Sequence, residues 1–380
     1  MKIGFDGKRA VQNKTGLGNY SRFIIDILSE YYKENQYLVY APKRKENKIL
    51  ARILEKKNIK MVYPASYLWK KCKSLWRIWG INKQVKQEHL SIFHGLSNEL
   101  PLNIRKSKTK SVVTIHDLIF IRYPQFYKWI DRHIYAYKFK KACENSNRII
   151  AISEMTKRDI ITFFGIDKQK IDVVYQGCQP IFEQEASIGQ KEQIRLKYQL
   201  PEKYILNVGS IESRKNLLLV VKSLNYVPDD IHLVAIGKRT TYADEIDEYI
   251  NKHQLTHRIH IFHNIPFHEL PAFYQSAQLF VYPSFFEGFG IPIIEAIHSG
   301  LPVIAATGSC LEEAGGPDSI YVNPNDEKEL ARNINKILSS PELADEMRKK
   351  GKLYVKRFSD STIAQDIMRV YQKVLSTNQV

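Results

Sequence analysis

Short runs of apolar residues alternate along almost the whole chain with longer segments in which apolar side chains recur every three or four positions. Continuous apolar runs are typical of strands buried on both faces, and the longer period is typical of amphipathic helices. The pattern therefore predicts an α/β protein with parallel sheets. In the first half, the predicted strands are 2–5, 36–41, 92–94, 111–115, 148–152 and 171–174, and the predicted helices are 18–32, 68–88, 128–145 and 154–164.

The polar segment 183–189 contains no strand-like run and interrupts this alternation, and we interpret it as the linker between two domains. A chain of 380 residues is long enough for two domains, each with its own core. We therefore predict an N-terminal domain at 1–183 and a C-terminal domain at 184–360. In the second half, the predicted strands are 204–208, 232–236, 259–262, 279–282 and 302–305, and the predicted helices are 217–224, 243–253, 270–277, 292–298 and 327–338.

The composition is that of a globular protein, with 44% hydrophobic and 26% charged residues. The four cysteines are far apart and form no Cys-x-x-Cys motif, which indicates reduced thiols and neither a disulfide framework nor a zinc site. No apolar stretch approaches the roughly 18 residues that span a bilayer, and no signal peptide is recognisable at the start. We expect a cytoplasmic protein that can touch a membrane from the inner face.

The formal net charge of +17 is concentrated in the first half of the chain. Residues 1–200 contain 38 Lys and Arg against 18 Asp and Glu, whereas the remaining residues contain 19 against 22. Such an asymmetry favours an anionic partner for the N-terminal half. The open candidates are a membrane surface, a nucleic acid and a phosphorylated acceptor.

Two carboxylates, Glu287 and Glu295, enclose a Gly-rich turn that leads into an apolar run. A turn that opens a helix presents free backbone N–H groups, which form an anion site. Glu295 then lies about one turn into that helix, where its carboxylate can accept hydrogen bonds from sugar hydroxyls. The spacing therefore indicates a site for a phosphorylated sugar.

Two further loops follow predicted strands and precede predicted helices. The first, 15–19, contains Gly16 and Gly18, which allow backbone to approach a phosphate; an ordinary loop is the alternative. The second begins at Gly209 and contains Arg214 and Lys215, which can neutralise a diphosphate. The alternative for this loop is a solvated surface turn, although cations at a helix start oppose the helix dipole unless an anion is bound.

Two polar residues at strand ends each allow two interpretations. His116 ends an apolar strand and either binds a sugar hydroxyl or is a buried histidine with satisfied hydrogen bonds. Glu312 follows the strand 302–305 and either contacts a ligand or caps a helix N-terminus.

The predicted helix 68–88 carries three of the four tryptophans and several basic residues. A Trp- and Leu-rich face on a basic helix is typical of a helix at a membrane interface, whereas packing on the protein's own sheet is the alternative. The residues predicted to share this face are Leu68, Trp69, Cys72, Leu75, Trp76 and Trp79.

Taken together, these motifs resemble the retaining GT-B glycosyltransferases of family 4. The resemblance rests on Glu-Gly-Phe-Gly-Ile-Pro-x-x-Glu at 287–295, Ser-Arg-Lys-Asn at 213–216, Gly-x-Gly at 16–18 and His-Asp at 116–117, and it extends to 151–159 and 173–177. It implies two Rossmann-like parallel-sheet domains that face a central cleft. It also implies that the final helix, 361–380, packs back onto the N-terminal domain.

The resemblance implies a set of contacts to a nucleotide-sugar donor. Glu295 would bind the ribose hydroxyls, and Glu287 would bind a hydroxyl of the transferred sugar. The backbone of Phe289, Gly290 and Ile291 would contact the sugar and phosphate.

The resemblance also implies roles for residues near the groups that react. Arg214 and Lys215 would carry the charge of the departing diphosphate, beside Gly209 in the same loop. Gly16 and Gly18 would close on the donor from the other domain. His116 would lie over the sugar, and Glu312 would lie close to the donor.

The resemblance also implies retention of the anomeric configuration and no cofactor beyond the nucleotide-sugar substrate. The chain has no Asp-x-Asp motif, so Arg214 and Lys215 can replace a metal electrostatically. Two positions depart from the family pattern: Leu311 stands where Pro usually precedes Glu312, and His263 stands where Gly commonly follows a strand. Because the loop at His263 lines the base pocket in the family, the nucleobase stays open.

We therefore expect a hexosyltransferase that acts on a glycan or polyprenyl-linked acceptor in surface polysaccharide or lipopolysaccharide synthesis. Mannose is the expected sugar, because Thr-Ile-His-Asp-Leu at 114–118 resembles the bacterial mannosyltransferases. A UDP-glucose or UDP-N-acetylglucosamine donor is an alternative. A basic nucleic-acid-binding protein and a GT-B binding module without turnover are the alternatives from other classes.

Overall fold

A computed structural model of the chain describes residues 1–13, 15–44 and 48–376. The chain forms two compact units, one of Met1–Gln176 with Ser359–Val380 and one of Gly177–Phe358. Each unit contains one sheet whose paired strands are all parallel, and helices connect the successive strands. The prediction of two parallel-sheet α/β domains is confirmed.

The N-terminal sheet has seven strands in the order β3-β2-β1-β4-β5-β6-β7, and the C-terminal sheet has six in the order β10-β9-β8-β11-β12-β13. The strands are β1 (Lys2–Asp6), β2 (Gln36–Tyr40), β3 (Ile59–Val62), β4 (Ile92–Gly95), β5 (Lys110–Ile115), β6 (Arg148–Ala151), β7 (Ile171–Val173), β8 (Tyr204–Val208), β9 (His232–Ile236), β10 (Ile259–Phe262), β11 (Leu279–Tyr282), β12 (Val303–Ala306) and β13 (Ile320–Val322).

The helices lie between these strands, and the last two follow α16 without a further strand. They are α1 (Lys8–Gln12), α2 (Gly16–Tyr31), α3 (Lys48–Leu54), α4 (Tyr67–Lys71), α5 (Lys73–Leu75), α6 (Ile81–Gln87), α7 (Ile119–Arg122), α8 (Trp129–Asn145), α9 (Glu154–Phe164), α10 (Ile188–Tyr198), α11 (Leu217–Ser223), α12 (Tyr242–Lys252), α13 (Leu270–Ser276), α14 (Ile291–His298), α15 (Leu311–Gly315), α16 (Glu327–Leu338), α17 (Pro341–Tyr354) and α18 (Asp360–Ser376).

Central strands are buried because helices cover both faces of each sheet. All four residues of β11 are buried, as are five of the six residues of β5. The last helix, α18, packs on α2, β5 and β6, and its residues Ile363, Ile367 and Tyr371 belong to the same apolar core as β1. The chain therefore returns to the N-terminal unit after Phe358, and the change from the first unit to the second falls before the predicted linker 183–189.

The prediction of one continuous helix over 68–88 is wrong. The segment is divided into α4, α5, a π-helical turn at Trp76–Gly80, and α6. Cys72 leaves the helical conformation with φ −91° and ψ 55°, and the wider π turn rotates the following residues relative to a regular helix. Trp76 consequently lies in the core with 1% exposure, while Trp79 is 46% exposed.

Several short elements escaped the sequence analysis. The edge strands β3 and β13 contain too few consecutive apolar residues to stand out, and polar residues fill much of α10 and α17. In α10, Ser187 and Gln190 form a reciprocal capping box, so that helix begins inside the segment predicted as a linker. Within the described ranges, the helices are all too short or too polar to cross a membrane.

Candidate active site

In the C-terminal unit, Glu287 lies in the loop after β11 and forms the centre of a charged cluster. Its Oε1 lies 2.8 Å from Nη1 of Arg214 and 3.7 Å from Nζ of Lys215. The same oxygen accepts hydrogen bonds from the hydroxyls of Tyr282 at 2.9 Å and Ser284 at 3.1 Å. The structure therefore brings the predicted sugar-binding carboxylate into direct contact with the predicted phosphate-binding cations.

The two cations are held in the loop after β8 by contacts on several sides. Arg214 donates to the carbonyl of Phe286 and to Oε1 of Glu212, the latter at 2.7 Å. Lys215 donates to the hydroxyl of Tyr282 at 2.9 Å. The backbone N–H of Phe285 donates to the carbonyl of Arg214 at 2.9 Å, which joins the β8 and β11 loops. Protein contacts therefore position both cations before any ligand binds, as electrostatic preorganisation requires.

The cluster holds all of its charges in the ionised form. Burial raises the pKa of the Glu287 carboxyl, but the charges of Lys215 and Arg214 outweigh burial and leave that pKa below its ordinary value. Burial lowers the pKa of Arg214, but the charges of Glu287 and Glu212 outweigh burial and leave that pKa above its ordinary value. Glu287 is therefore a carboxylate at neutral pH and can accept, but not donate, a hydrogen bond.

Glycine at position 290 is required by the turn that opens α14. Gly290 has φ +123°, and a Cβ there would lie 3.0 Å from Cδ2 of Leu311. Phe289 is buried and its ring packs on Phe358 at a centroid distance of 5.3 Å. Ile291 begins α14, Pro292 at its second position has no N–H, and the N–H of Ile293 donates to the carbonyl of Gly290 at 3.0 Å. The N–H of Ile291 is therefore the donor that this first turn offers to a ligand. A ligand contact from the backbone of Ile291 is compatible with this geometry, and the contacts expected from Phe289 and Gly290 stay predictions.

Glu295 lies in α14 and is 9% exposed. Its Oε2 accepts a hydrogen bond from the hydroxyl of Tyr274 on α13 at 3.0 Å. Burial raises the pKa of this carboxyl to about 7, although the Tyr274 hydrogen bond and the charge of Lys215 act in the opposite direction. The two glutamates of the motif therefore differ, because Glu287 is neutralised by cations and Glu295 is buried beside a single hydroxyl.

The other two predicted residues of this unit have structural contacts. The Oε1 atom of Glu312 accepts from Oγ1 of Thr307 at 2.7 Å and from the backbone N–H of Gly308 at 2.9 Å. It therefore holds the loop between β12 and α15. The helix-capping interpretation is not met, because Glu312 is the second residue of α15 and that helix has no side-chain cap; the ligand contact stays a prediction. Gly209 lies against Lys215, since a Cβ at Gly209 would be 3.0 Å from Nζ. His263, which stands where glycine is common in the family, is exposed. Its Nδ1 lies 2.6 Å from the carbonyl oxygen of Gly237.

In the N-terminal unit, His116 follows the end of β5 and is buried. Its Nε2 donates to the carbonyl of Leu96 at 2.9 Å, and its Nδ1 accepts from the amide of Gln176 at 3.4 Å. Burial lowers the pKa of His116 to about 4; the Leu96 hydrogen bond raises it, and the charge of Arg9 lowers it further. The imidazole is therefore neutral at physiological pH, and both ring nitrogens have partners, as the buried-histidine alternative requires.

The two glycines near the start of α2 differ in their surroundings. A Cβ at Gly18 would lie 2.0 Å from the carbonyl oxygen of Asn13, so close backbone packing requires glycine there. A Cβ at Gly16 would meet no atom of the described residues within 4 Å. Packing thus accounts for Gly18 and leaves Gly16 accessible to a ligand.

Sequence reasoning missed the residues that support the predicted ones. Tyr282 and Tyr274 bind Glu287 and Glu295, and Asn98 accepts from the backbone N–H of His116 at 2.7 Å. Asn98 has φ +64°, a conformation that asparagine tolerates better than most residues. The only signal for Tyr282 in the sequence is its position at the carboxyl end of a predicted strand. Tyr274 lies in a predicted helix without any motif.

Two sequence families match most of the chain. Residues 22–180 match the family described as Glycosyltransferase Family 4, and residues 190–354 match the family described as Glycosyl transferases group 1. The first match lies in the N-terminal unit except for its last four residues, and the second lies within the C-terminal unit.

The chain is also similar to curated proteins. It is 29% identical over 230 residues to the O-antigen chain mannosyltransferase RfbU of Salmonella typhimurium, which covers 60% of this chain and 61% of the relative. It is 26% identical over 287 residues to the O-antigen chain mannosyltransferase B of Escherichia coli, which covers 74% of each. The match therefore spans less than two thirds of the Salmonella protein.

Solved structures share the fold at low sequence identity. A glycosyltransferase from Rickettsia africae superposes with a TM-score of 0.78 at 19% identity and 99% coverage of both chains. Anabaena Alr3699/HepE in complex with UDP-glucose superposes with a TM-score of 0.76 at 17% identity, over 98% of this chain and 100% of that one.

Proposed function

The chain belongs to the GT-B glycosyltransferases of family 4, and we propose that it transfers a hexose from a nucleotide sugar to a glycan acceptor with retention of configuration. The observation that carries this proposal is the cluster of Arg214, Lys215 and Glu287 beside the first turn of α14. The cluster lies at the carboxyl ends of β8 and β11, where parallel sheets bind their ligands. Two half-buried cations at that position suit a diphosphate.

In the proposed reaction, the donor's diphosphate lies against Arg214, Lys215 and the N-terminus of α14. As the bond from the sugar to the diphosphate breaks, the two cations stabilise the negative charge that develops on the leaving oxygen. That oxygen takes the proton of the acceptor hydroxyl. The acceptor oxygen forms the new bond to the sugar on the same face that the diphosphate leaves. Glu287 fixes a sugar hydroxyl, and Glu295 fixes the ribose hydroxyls. No metal is needed in this scheme, because the protein supplies the positive charge.

We propose mannose as the sugar and a growing surface polysaccharide as the product. The support is that both similar curated proteins are named O-antigen chain mannosyltransferases. The alternative donor is a UDP-sugar, which is supported by the UDP-glucose bound to the structurally similar Anabaena protein. The exposed His263 lies where the family's base pocket is expected and offers a polar group that could discriminate between the two bases.

A thermal-shift screen of nucleotide sugars tests the donor. We expect GDP-mannose to raise the melting temperature more than UDP-glucose or UDP-N-acetylglucosamine. A ligand that binds only the folded state stabilises it by RT ln(1 + [L]/Kd), so at equal concentration the tighter ligand gives the larger shift. The variant Glu295→Ala should lose most of that shift, whereas the exposed control Glu346→Ala should keep it. A larger shift with a UDP-sugar would replace the mannosyl donor, and no shift with any nucleotide sugar would contradict the proposed activity.

We further propose that the N-terminal unit works at an anionic membrane surface. Its exposed apolar side chains include Trp79 and Trp129, the latter at 67% exposure, within the half of the chain that holds the excess of Lys and Arg. Exposed tryptophans beside basic residues favour an anionic interface. Replacing Trp79 and Trp129 with Ser should release the protein from phosphatidylglycerol vesicles in co-sedimentation. Unchanged binding of the double variant would contradict this location.

A further inference from the structure

The hydroxyl group of Tyr282 lies between a cation and the carboxylate of the charged cluster. Tyr282 is the last residue of β11 and is 1% exposed. Its oxygen lies 2.9 Å from Nζ of Lys215 and 2.9 Å from Oε1 of Glu287. Nζ and Oε1 themselves are 3.7 Å apart, which is beyond hydrogen-bonding distance. The hydroxyl therefore bridges an ion pair that does not close directly.

The charges on either side of the Tyr282 hydroxyl fix the direction of both hydrogen bonds. An ammonium group can only donate, so the Tyr282 oxygen accepts from Lys215. A carboxylate can only accept, so the single hydroxyl proton is donated to Glu287. Burial raises the pKa of the Tyr282 phenol and the charge of Glu287 raises it further, which the opposing charges of Lys215 and Arg214 do not offset. The hydroxyl therefore keeps its proton at neutral pH and has one orientation.

The ammonium group of Lys215 depends on this hydroxyl for its position. Burial lowers the pKa of Lys215, but its contacts with Tyr282 and Glu287 outweigh burial and leave that pKa above its ordinary value, so the group is a cation. On another side Nζ lies against Gly209, where a Cβ would be 3.0 Å away. Glycine has no side chain that could hold the ammonium group. Among the described residues, the Tyr282 oxygen accepts the hydrogen bond that Nζ donates.

A direct contact between Lys215 and Glu287 is the arrangement that the bridging hydroxyl replaces. Opposite charges that are partly shielded from water attract each other more strongly than in bulk solvent. A direct hydrogen bond from an ammonium group to a carboxylate is about 2.8 Å long. Lys215 and Glu287 would reach that length from 3.7 Å by approaching each other by about 1 Å. Loss of the hydroxyl would remove the group that satisfies both charges at the longer distance.

We propose that Tyr282 is a positioning residue whose hydroxyl acts as a spacer, which holds the ammonium group of Lys215 away from Glu287 and available to the donor's diphosphate. Without the spacer, Lys215 closes onto Glu287, and a larger part of its positive charge is neutralised within the protein. The departing diphosphate then gains less stabilisation from that charge. The inference rests on the proposed function, because it gives Tyr282 a role in the leaving-group step of that transfer.

The variant Tyr282→Phe removes the spacer and keeps the aromatic ring. That ring packs on Phe280 at a centroid distance of 5.8 Å, and Nζ of Lys215 lies 5.4 Å from its centroid, so we expect the variant to fold. Tyr204→Phe is the matched control, because Tyr204 is also 1% exposed and begins the neighbouring strand β8. Its hydroxyl donates to the carbonyl of Phe273 at 2.7 Å. The control therefore removes a buried hydroxyl of the same sheet outside the charged cluster.

Release of the nucleoside diphosphate from GDP-mannose and from UDP-glucose measures the leaving-group step. We expect Tyr282→Phe to lower kcat about tenfold and to change KM by less than about threefold, because the leaving oxygen gains most of its charge in the transition state. Tyr204→Phe should leave both constants unchanged. In the Lys215→Ala background, Tyr282→Phe should lower kcat by less than about twofold, because the hydroxyl then has no ammonium group to position. Equal losses of kcat in the two backgrounds, or a normal kcat in Tyr282→Phe, would overturn the spacer role.

Crystal structures of the natural protein and of Tyr282→Phe separate the spacer from the proposed transfer. We expect the distance from Nζ of Lys215 to Oε1 of Glu287 to fall from 3.7 Å in the natural protein to about 2.8 Å in the variant. An unchanged distance in the variant would overturn the spacer and leave the transfer intact, provided that the natural protein releases diphosphate. A shortened distance in a protein whose melting temperature no nucleotide sugar raises would support the spacing by Tyr282 and contradict the transfer.

Discussion

Replacing Arg214 with Ala is expected to lower kcat by about a hundredfold or more while changing the donor dissociation constant by less than about fivefold, the size seen when one preorganised donor to a developing anion is removed. The physical reason is that the leaving oxygen gains most of its charge in the transition state. The guanidinium is held in place before that charge develops by Glu287, Glu212 and the carbonyl of Phe286.

The structure also provides the control that this experiment needs. Arg214 neutralises Glu287, so its loss leaves that half-buried carboxylate with Lys215 as the one remaining cation among the described residues and can disturb the loop. Arg214→Lys keeps the charge without the forked contacts, and we expect it to recover part of the lost kcat. Arg239→Ala removes an exposed arginine paired with Asp244 and Asp247 in the same unit and should leave kcat unchanged. Equal losses in kcat and donor affinity after Arg214→Ala, or near-normal turnover, would contradict the leaving-group role.

Replacing Glu295 with Gln is expected to stabilise the folded protein above pH 7 and to weaken donor binding. The pKa of this carboxyl is about 7 in the folded state, against an ordinary value of 4.5 that applies to the unfolded chain. Below pH 4.5 both states hold the proton. Between pH 4.5 and pH 7 only the folded state holds the proton, so the free energy of unfolding falls as pH rises. Above pH 7 both states have lost the proton, and the full decrease in that free energy is present. The shift corresponds to about 3 kcal/mol of unfolding free energy, which glutamine does not lose because it cannot ionise.

Denaturant unfolding at pH 4.5 and pH 8 measures this effect. We expect Glu295→Gln and the natural protein to have similar stability at the lower pH and to diverge at the higher one. Glu346→Gln, an exposed carboxylate paired with Lys350, should show no such divergence. Donor affinity of the natural protein should rise as pH passes 7, since only the carboxylate form accepts two hydroxyls, and this rise should be absent in Glu295→Gln. A stability difference that is independent of pH would contradict ionisation of the buried carboxyl as its cause.

The burial that destabilises the Glu295 carboxylate is also what would favour its proposed contact with the donor. A buried group with a single hydroxyl partner is unfavourable in the free protein, and ribose hydroxyls would supply the missing hydrogen bonds. If the donor binds as proposed, part of its binding free energy would come from relieving this cost of burial. Glu287 differs in this respect, because its cations already compensate its burial.

Particular residues show where the sequence was sufficient and where it was not. The Gly-rich motif at 287–295 placed a helix start correctly, since glycine at 290 and the following apolar run act over a few residues. The Arg214 loop likewise follows a strand as predicted. The contact between Arg214 and Glu287 joins positions far apart in sequence, and it forms because β8 and β11 are neighbours in the sheet. No local pattern contains that neighbour relation.

The tryptophan segment shows the opposite outcome. Helical spacing predicted one apolar face over 68–88, but the break at Cys72 and the π-helical turn direct Trp76 into the core. Spacing predicts a shared face only for a regular helix, and the prediction fails where packing imposes an irregular one.

The sequence by itself determined the two parallel-sheet domains, the family and the candidate side chains of the site, because periodicity and short motifs depend on neighbouring residues. Only the tertiary structure decided which of these side chains meet and in which ionisation state they are held. It paired Glu287 with two cations and left Glu295 buried beside Tyr274. The physical reason is that burial and electrostatic interaction depend on distances across the sheet, which strand order sets and linear spacing does not record.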